Sequence, residues 1–410
     1  MKPNDLLFSF VRHHLKEDIS SIILKMKDQI LDFDLDSAVT QIECRKKTRD
    51  KLSDFIKNEK FLFPDMISSE QASDQRVAGY HSRIIGCGNN VLDMTAGLGI
   101  DAMTIALAGN KVVAVDIDEN KAKVLEYNAA VIGLDQNRLN VVNADSVNYL
   151  SELDRMPDVV FIDPARRDSE NRKVYSLTDC MPNVKVFYKD YVKRGVRMLI
   201  KASPLLDLTA TSRELSYVKR IYIICVKGEC KEVLIDLYMD QSDSSLDSDS
   251  FVLPVYEIVD LDSDGKETCF SISAEDRESD SDIIFASESD LRPDRFLYEP
   301  NAGLMKVNCS RVLLSRFKGL KKASPNTNLY LSDIYYKDFP GRILRIVGKV
   351  SKKEFKNYKG KKFNVSVRNY PQKAEKLRND LKVLEGSDDF IYGLRVTEKE
   401  KPCILECKRL

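Results

Sequence analysis

The sequence lacks the long apolar runs and the leader that mark membrane and exported proteins. No stretch of its 410 residues approaches the roughly 18 to 20 consecutive apolar residues that are needed to span a bilayer. The N-terminal stretch MKPNDLLFSFVRHH has no long apolar core followed by a small-residue cleavage site. We therefore expect a cytoplasmic protein without a membrane segment.

Cysteine is too scattered, and histidine too rare, to indicate a metal site. The nine cysteines include no CxxC pair, which argues against a zinc ribbon and against a disulfide framework. The closest pair, Cys403 and Cys407, lies in a strand-like run that would place both thiols on one face as core residues. The three histidines are His13, His14 and His81. We expect neither a metal site nor a histidine-based catalytic triad.

Charge is balanced over the whole chain but not along it. Lysine plus arginine and aspartate plus glutamate each number 64, so the formal net charge is zero. Residues 240–299 nevertheless carry 18 acidic and 4 basic side chains, whereas residues 341–382 carry 14 basic and 3 acidic ones. The basic segment is a candidate for binding a polyanion, and the acidic one for a solvated linker or a surface that repels that polyanion.

Short apolar runs that alternate with helical segments predict an α/β fold after residue 90. Fully apolar strands of this kind form parallel sheets that are covered on both faces. Two further runs, RIYIICV and KEVLIDLYM, are joined by so few residues that they must form an antiparallel hairpin. The five runs expected to be parallel are NVLDM, KVVAVDID, LNVVNAD, PDVVFIDP and RGVRMLIKASP.

The chain is long enough for more than one core, and its composition divides it into four parts. Residues 1–80 have apolar side chains at helical spacing, which predicts a helical region. Residues 81–241 contain the α/β pattern, and an acidic Ser/Asp stretch follows them. We expect a second, small domain over residues 251–340 and a basic α+β domain over residues 341–410.

The glycine turn in VLDMTAGLGIDAMTIALAG predicts a ligand site at the start of a helix. Gly97 and Gly99 let backbone N–H groups approach a ligand closely. A dinucleotide fingerprint would have a third glycine where Ala102 stands. The acid Asp93 before the turn suits the amino group and sulfonium of S-adenosylmethionine (SAM) better than a diphosphate.

Two more carboxylates follow the next two strands. Asp116 comes 23 residues after Asp93, where a carboxylate can bind both ribose hydroxyls. Asp145 follows the third strand and can accept a hydrogen bond from an adenine amine. Any one of these acids alone is explained as well by a solvated residue at the start of a loop. Together they lie at the edge of the sheet where α/β proteins bind ligands.

The motifs of this chain resemble those of class I SAM-dependent methyltransferases with a C-terminal THUMP-like domain. The resemblance implies a Rossmann-like methyltransferase sheet with one antiparallel strand, a ferredoxin-like intermediate domain and a THUMP-like end that binds RNA. The residues expected to bind SAM are Asp93, Thr95, Gly97, Gly99, Asp116 and Asp145. The matching motifs are EQASDQRVAGYH, DMTAGLGIDA, IDPARRD, LTDCMPNV, IKASPLLD, GECKEVL, YEPNAGLMK, SPNTNLYLSD, DFPGR and VRNYP.

The fourth strand ends in IDPARRD, where similar RNA base methyltransferases carry D-P-P or N-P-P followed by an aromatic residue. Asp163 and the carbonyl of Pro164 can accept hydrogen bonds from a target amine, which makes them the candidate catalytic residues. Arginines stand in place of the aromatic, so we expect Arg166 and Arg167 to contact nucleic acid by stacking or by binding phosphate. The alternative is that Arg167 pairs with a nearby carboxylate and only stiffens the loop.

Lys201 and Ser203 follow the fifth strand in IKASP, at the same edge of the sheet. A lysine that ends an apolar strand is not expected in the core. We therefore expect Lys201 and Ser203 to contact the substrate.

The basic C-terminal segment interleaves lysine and arginine with aromatic residues. Positive charge binds phosphate, and exposed aromatic rings stack on unpaired bases, so the segment predicts RNA binding. The alternative is a solvated lysine-rich segment that is packed by its own aromatic residues. Those residues are Phe355, Tyr358, Phe363 and Tyr370.

These features predict a SAM-dependent methyltransferase that modifies a nucleobase nitrogen in structured RNA such as rRNA or tRNA. One alternative is a non-catalytic RNA-binding protein on a methyltransferase fold. Another is a methyltransferase that acts on a small molecule or a protein. The complete set of carboxylates argues against a non-catalytic relic, because such a protein need not keep every acid.

Overall fold

The described part of the chain forms two compact units. Unit 1 comprises Met1–Tyr222, Glu232–Leu253 and Leu261–Lys266, and unit 2 comprises Ile223–Lys231, Pro254–Asp260 and Glu267–Leu410. The four domain boundaries expected from the sequence stay predictions. The computed structural model describes residues 5–27, 29–165, 177, 180–240, 253–277, 282–396 and 401–410.

Within the described residues, no helix combines the length and the apolar character that a membrane crossing needs. The cytoplasmic location stays a prediction.

Unit 1 begins with helices, as predicted. They are α1 (Asp5–His14), α2 (Ile19–Met26), α3 (Leu35–Lys47), α4 (Ser53–Ile56), α5 (Met66–Gln71) and α6 (Gln75–Ile85). Asp18, Asp34 and Asp74 each accept a backbone N–H group of the helix that follows, which stabilises its first turn. Ile22 and Ile42 are fully buried in an apolar cluster formed by α1, α2 and α3.

The α/β region of unit 1 alternates strands and helices over residues 90–237. Its strands are β1 (Asn90–Asp93), β2 (Lys111–Asp116), β3 (Leu139–Asn143), β4 (Val159–Ile162), β5 (Arg197–Ala202), β6 (Val218–Val226) and β7 (Glu229–Leu237). Its helices are α7 (Ile100–Leu107), α8 (Glu119–Val131), α9 (Ser146–Ser151), α10 (Tyr188–Lys193) and α11 (Leu208–Glu214).

The sheet of unit 1 has the strand order β3-β2-β1-β4-β5-β7. The first five strands are parallel, and β7 is antiparallel to β5. Two residues, Lys227 and Gly228, connect β6 to β7, and both have positive φ, at 53° and 78°. Such a turn closes a tight antiparallel hairpin. The predicted parallel sheet with one antiparallel strand is confirmed.

Unit 2 contains a seven-stranded sheet with the order β11-β12-β10-β13-β16-β15-β14; in addition, β6 lies beside β8, and β8 lies beside β9. The strands are β8 (Val255–Leu261), β9 (Glu267–Ile272), β10 (Phe296–Pro300), β11 (Lys321–Ser324), β12 (Thr327–Ser332), β13 (Gly341–Lys349), β14 (Asn364–Arg368), β15 (Asp389–Leu394) and β16 (Cys403–Arg409). The helices are α12 (Ala274–Arg277), α13 (Ala302–Lys306), α14 (Ser310–Arg316) and α15 (Ala374–Leu381).

Glu299 on β10 joins four strands of this sheet. Its buried carboxylate accepts hydrogen bonds from Arg342 at 2.6 Å, from Arg368 at 2.6 Å and from the hydroxyl of Tyr392 at 2.7 Å. These donors lie on β13, β14 and β15. Charge-assisted hydrogen bonds of this kind are among the strongest in proteins. The sheet is therefore continuous across the predicted boundary at residue 341.

We predict that Gly341→Ala destabilises unit 2, whereas Gly348→Ala on the same strand does not. A Cβ atom on Gly341 would lie 2.2 Å from the carbonyl oxygen of Glu299, and one on Gly348 would meet no atom within 4 Å. Overpacking against backbone costs about 1 to 3 kcal/mol in the free energy of unfolding. Urea unfolding of both variants measures the difference, and equal midpoints would contradict this account of the β10–β13 contact.

Candidate active site

The turn between β1 and α7 combines a packed glycine with an open one. Gly97 and Gly99 have left-handed backbone, with φ of 55° and 83°. A Cβ atom on Gly99 would lie 2.0 Å from Cδ1 of Leu125 on α8, whereas one on Gly97 would meet no atom within 4 Å. Gly99 therefore fixes the turn against α8, and Gly97 leaves room for a ligand beside the turn.

Asp116 fastens this turn to the end of β2. Its Oδ2 accepts the N–H of Gly97 at 2.8 Å, and its Oδ1 accepts the N–H of Asp118 at 2.9 Å. Each oxygen of a carboxylate can accept a second hydrogen bond. The half-buried side chain is thus held in one orientation and can still bind a pair of hydroxyl groups.

Two side chains lie beyond the ends of β2 and β3. Ile117 follows β2 and is apolar, and Asp145 follows β3 and is a hydrogen-bond acceptor. Oδ1 of Asp145 accepts the N–H groups that begin α9, and Oδ2 has no donor among the described residues. The side chain of Ile117 is 76% exposed. The amide of Asn143 on β3 donates to the carbonyl of Ile117 at 3.0 Å, which places Ile117 beside β3. An exposed apolar residue next to a carboxylate suits a flat, partly polar ring.

Thr95 connects the end of β1 with the end of β4. Its N–H donates to Oδ1 of Asp93 at 3.0 Å, and its Oγ1 accepts the N–H of Asp163 at 2.7 Å. Because β1 and β4 are neighbours in the sheet, this one side chain fixes the relative position of the two acids.

Next to Asp163 lies a buried group of charged side chains. Lys201 is only 3% exposed, and its Nζ lies 2.7 Å from Oδ2 of Asp163. The same Nζ lies 3.7 Å from Oδ2 of Asp101 and 3.7 Å from Oε2 of Glu232, and it donates to Oγ of Ser73 at 2.8 Å. The group, called the charged cluster below, comprises Ser73, His81, Asp101, Asp163, Lys201 and Glu232.

His81 supplies the second cation of the charged cluster. Its buried ring places Nδ1 2.8 Å from Oδ1 of Asp101 and Nε2 2.5 Å from Oε1 of Glu232. Burial lowers the pKa of His81, but the carboxylates of Glu232 and Asp101 outweigh burial and raise that pKa to about 9. His81 is therefore protonated at neutral pH and donates from both ring nitrogens.

Two buried aspartates of the site have pKa values displaced in opposite directions. Burial raises the pKa of Asp93 to about 8, and the N–H of Thr95 offsets only part of this effect. Burial would also raise the pKa of Asp101, but Lys201 and His81 outweigh it and hold that pKa well below its usual range. In the free protein at pH 7, Asp93 is therefore neutral and Asp101 is charged.

Lys201 lies in the core, which corrects the expectation drawn from its place at the end of an apolar strand. The carboxylates of Asp163, Asp101 and Glu232 offset the cost of removing its ammonium from water. Lysine at such a position is thus compatible with burial when acids from other elements converge on it. Contact between Lys201 and a substrate stays a prediction.

The structure describes one further residue expected to bind substrate, Ser203, and the two expected catalytic residues, Asp163 and Pro164. Ser203 is half-buried, and its Oγ accepts the N–H of Leu205 at 3.1 Å. Pro164 is buried, whereas Asp163 is 28% exposed and therefore open to a ligand. Arg166 and Arg167 lie outside the described residues.

Exposed apolar side chains flank Asp163. Ala165 and Met181 exchange two backbone hydrogen bonds, of 2.7 and 3.4 Å, which places Met181 beside the end of β4. Met181 is 64% exposed, and Leu205 beyond the end of β5 is 68% exposed. Apolar residues at the edge of a polar site offer a surface for a flat ring.

Four members of the charged cluster are not among the predicted site residues. Ser73 and His81 lie in EQASDQRVAGYH, Asp101 lies in GLGIDA and Glu232 lies in GECKEVL, so all four fall within the family motifs. A further signal is that Asp101 is the one acid in the otherwise apolar helix IDAMTIAL. A charged residue at a buried helical position usually has a charged partner.

The described residues contain no group of three or more His, Cys, Asp or Glu side chains that could hold a metal ion. His81 contacts two carboxylates, and its role is that of a buried cation.

In unit 2, the basic segment exposes its lysines and packs its aromatic residues. Phe363 is buried, and Phe355, Tyr358 and Tyr370 pack against an apolar cluster that includes Leu377. Phe355, Tyr358 and Phe363 therefore stabilise the domain, which corrects the expectation that all four rings are exposed for stacking, whereas Tyr370 also lines a cavity. Six exposed lysines form no ion pair with any residue in the described ranges: Lys352, Lys353, Lys356, Lys359, Lys361 and Lys362.

Three family models match the chain. One described as "Putative SAM-dependent methyltransferase" matches residues 32–173. One described as "ferredoxin-like domain" matches residues 296–340, and one described as "THUMP domain-like" matches residues 341–409. Together these matches span more than half of the chain.

Curated relatives are similar to a part of the chain. Ribosomal RNA small subunit methyltransferase J of Aliivibrio salmonicida (strain LFI1238) is 30% identical over 157 residues, which cover 33% of this chain and 58% of that protein. The protein of the same name from Shewanella loihica (strain ATCC BAA-1088 / PV-4) is 33% identical over 120 residues, covering 26% and 46%. The chain therefore spans about half the length of these relatives.

A solved structure shares the fold over nearly the whole chain. It is described as that of a "putative methyltransferase from Porphyromonas gingivalis W83", with 24% identity, a TM-score of 0.79, and coverage of 98% of this chain and 97% of that chain. This similarity confirms the predicted fold class.

We predict that the stability of unit 1 falls as pH rises from 7 to 9. The folded state binds protons more tightly at Asp93 and at His81, whose pKa values are about 8 and about 9. Between its pKa in the unfolded state and its higher pKa in the folded state, each group lowers the free energy of unfolding by about 1.4 kcal/mol for each unit by which pH rises. Urea unfolding at pH 6.5, 7.5 and 8.5 measures the slope. His81→Gln should reduce the slope and His13→Gln should leave it unchanged; a flat profile would contradict the assignment.

Proposed function

We propose, from the premise that the chain belongs to the SAM-dependent methyltransferase family with ferredoxin-like and THUMP-like domains, that it methylates a nucleobase nitrogen in structured RNA. The observation that carries this proposal is the placement of Asp163. It lies next to the SAM-type glycine turn through Thr95 and is paired with the buried Lys201.

The residues around the glycine turn fit SAM. Gly97 leaves open space at the turn, so a ligand can lie against its backbone. Asp116 would bind the ribose hydroxyls, Asp145 would accept from the adenine amine, and Ile117 would contact the adenine ring. SAM supplies a methyl group that is bound to a positively charged sulfur. A nitrogen nucleophile can attack this methyl group and displace the sulfur.

Asp93 is suited to the cationic end of this cofactor. Its carboxyl group is neutral in the free protein because burial raises its pKa to about 8. A positive amino group or sulfonium nearby favours the charged carboxylate. Binding of the cofactor would therefore take a proton from Asp93 and leave an ion pair in a site that excludes water.

Asp163 would orient the base that receives the methyl group. Its Oδ2 is paired with Lys201, and the exposed part of the carboxylate would accept a hydrogen bond from the N–H of the target nitrogen. The backbone carbonyl of Pro164 would accept a second one. The nitrogen lone pair would then attack the methyl carbon, and the C–S bond would break to release neutral S-adenosylhomocysteine. The proton of the methylated nitrogen would pass to the carboxylate of Asp163 and from there to solvent. Orientation of this kind contributes roughly 7 to 11 kcal/mol to catalysis.

Lys201 and His81 are positioning residues in this proposal. Lys201 is 3% exposed and His81 is fully buried, so this proposal replaces the expected substrate contact of Lys201 by an indirect role. Lys201 fixes the rotamer of Asp163, and His81 fixes the two acids that keep Lys201 in place.

Met181 and Leu205 would contact the faces of the base. Both are exposed apolar side chains; Met181 pairs with Ala165 just beyond β4, and Leu205 follows β5, the neighbouring strand. Methionine is polarizable and adapts its shape to a flat ring. The contribution of Arg166 and Arg167 to substrate binding stays a proposal on the sequence alone.

Two observations support RNA as the substrate. Six exposed lysines between β13 and β14, which form no ion pair with any described residue, offer positive charge to phosphates. The curated relatives are named for the RNA of the small ribosomal subunit, which favours ribosomal RNA over other substrates for this chain.

We predict that Asp163→Ala lowers methyl transfer at least about 100-fold, the scale of losing one oriented polar group at a reacting centre. The affinity for S-adenosylhomocysteine should change less than about threefold, since Asp163 does not contact the donor in this proposal. Asp158→Ala is the matched control, because Asp158 lies at the opposite end of β4. Retained turnover in Asp163→Ala would refute the role of this residue.

The same variants identify the product in cells. Nucleoside mass spectrometry of RNA should show one methylated nucleoside that disappears without the gene. The wild-type gene and Asp158→Ala should restore it, and Asp163→Ala should not. A nucleoside profile that is unchanged by loss of the gene would contradict RNA as the substrate.

We predict that replacing Lys352, Lys353 and Lys356 by glutamine weakens RNA binding and its salt dependence. Each phosphate contact that is lost reduces the slope of log affinity against log salt by about 0.7 to 0.9. The matched control replaces three exposed lysines of unit 1, which are Lys16, Lys123 and Lys189. Fluorescence anisotropy at 50 to 200 mM salt measures both slopes, and equal slopes in the two triple variants would contradict this surface.

A further inference from the structure

A cavity of about 300 Å³ lies at one edge of the sheet in unit 2. Residues that follow β14 and β15 line it, and these two strands are parallel. Carboxyl ends of neighbouring parallel strands meet at the same edge, where α/β sheets bind ligands. The lining residues are Val367, Asn369, Tyr370, Pro371 and Arg395.

Arg395 is the charged residue of this cavity. Its Nε is buried and has no hydrogen-bond partner, and the guanidinium forms no ion pair with any residue in the described part of unit 2. Arg368, at the end of the neighbouring strand, is by contrast neutralised by Glu299 at 2.6 Å. A buried donor without an acceptor costs free energy. The planar guanidinium matches the geometry of a phosphate, which would satisfy it.

Tyr370 gives the cavity an aromatic wall of fixed position. A Cβ atom on Gly393 of β15 would lie 2.9 Å from Cγ of Tyr370, so the ring packs directly on that strand. Glycine at position 393 is thus what allows the ring to lie there. Asn369 next to it has left-handed backbone, with φ of 50°, and presents an exposed amide at the cavity. A phosphate-binding arginine, an aromatic ring and an amide are the groups that bind a nucleotide.

The position of the cavity relative to the exposed lysines allows one polynucleotide to reach both. The six lysines come before β14, and the cavity follows β14. A five-residue strand is about 17 Å long at roughly 3.3 Å per residue. This distance corresponds to a few nucleotides along a single strand.

We propose that this cavity binds one nucleotide of an RNA strand, with its phosphate on Arg395 and its base against Tyr370. The identity of the polymer rests on the proposed function, whereas nucleotide binding itself does not. The site would hold the RNA at a second point, separate from the base that is methylated.

Calorimetry on the full chain with cytidine 5′-monophosphate tests the site. A pyrimidine nucleotide is chosen because the proposed SAM site of unit 1 would bind adenosine. The nucleotide should bind, and cytidine without the phosphate should bind at least about tenfold more weakly. Arg395→Gln should lower the affinity for the nucleotide at least about tenfold. The control Arg409→Gln removes an exposed arginine at the end of β16 and should leave the affinity within about twofold.

Three outcomes would overturn the proposal. They are equal nucleotide affinity in Arg395→Gln and the wild type, equal affinity for cytidine and its phosphate, or inorganic phosphate binding as tightly as the nucleotide. The last result would mean a simple anion site without contacts to the nucleoside. Binding of S-adenosylhomocysteine, measured on the same samples, tests the SAM site separately. A loss of nucleotide binding with intact S-adenosylhomocysteine binding would contradict the cavity proposal alone, and the reverse result would contradict the proposed SAM site alone.

Discussion

The pairing of a buried lysine with carboxylates from several elements is the interaction on which the site depends. Lys201 comes from β5, and its partners Asp163, Asp101 and Glu232 come from the end of β4, from α7 and from β7. Removing one member of a buried ion pair costs about 3 to 5 kcal/mol, because the remaining charge stays in a medium that solvates it poorly. The geometry of Asp163 is therefore enforced by the fold as a whole and not by its own loop.

The charges of this cluster also set the electrostatic character of the neighbouring turn. Two cationic side chains face three carboxylates, so the cluster has an excess of negative groups. Asp93, two hydrogen bonds away through Thr95, keeps its proton chiefly because it is buried, and the carboxylates of Asp101 and Asp163 raise its pKa further while Lys201 opposes them. Both cations of the cluster are buried, so a cationic ligand at the turn would meet an environment with an excess of negative groups. The two halves of the site are thus coupled by field as well as by hydrogen bonds.

The strand ends of the site and their acids could be predicted from the sequence, whereas contacts between residues far apart in the chain could not. Strand ends and their acids, such as Asp93 and Asp116, are local patterns, so a single pass along the chain identifies them. The contact between His81 and Glu232 joins residues that are 151 positions apart, and no local pattern reports it. Tyr358 failed as a predicted stacking residue for the same reason, since the core that buries it comes from later strands and a later helix.

Burial reverses the usual interpretation of a residue type. Lysine at the end of a strand normally indicates solvent, and only the convergence of acids around Lys201 makes it a core residue. Histidine is normally a base at neutral pH, yet His81 between two carboxylates is a cation at that pH. Residue type therefore predicts which groups carry the chemistry, and topology decides which charge state they have.

The carboxylate of Glu299 has a consequence for how this protein could have been assembled during evolution. The ferredoxin-like and THUMP-like segments match separate family models, yet Arg342, Arg368 and Tyr392 of the second segment satisfy a buried acid of the first. Separating them would expose the edges of β10 and β13 and leave Glu299 without donors. Either segment alone would keep a defect that the other one repairs, so we expect the two segments to fold as one unit.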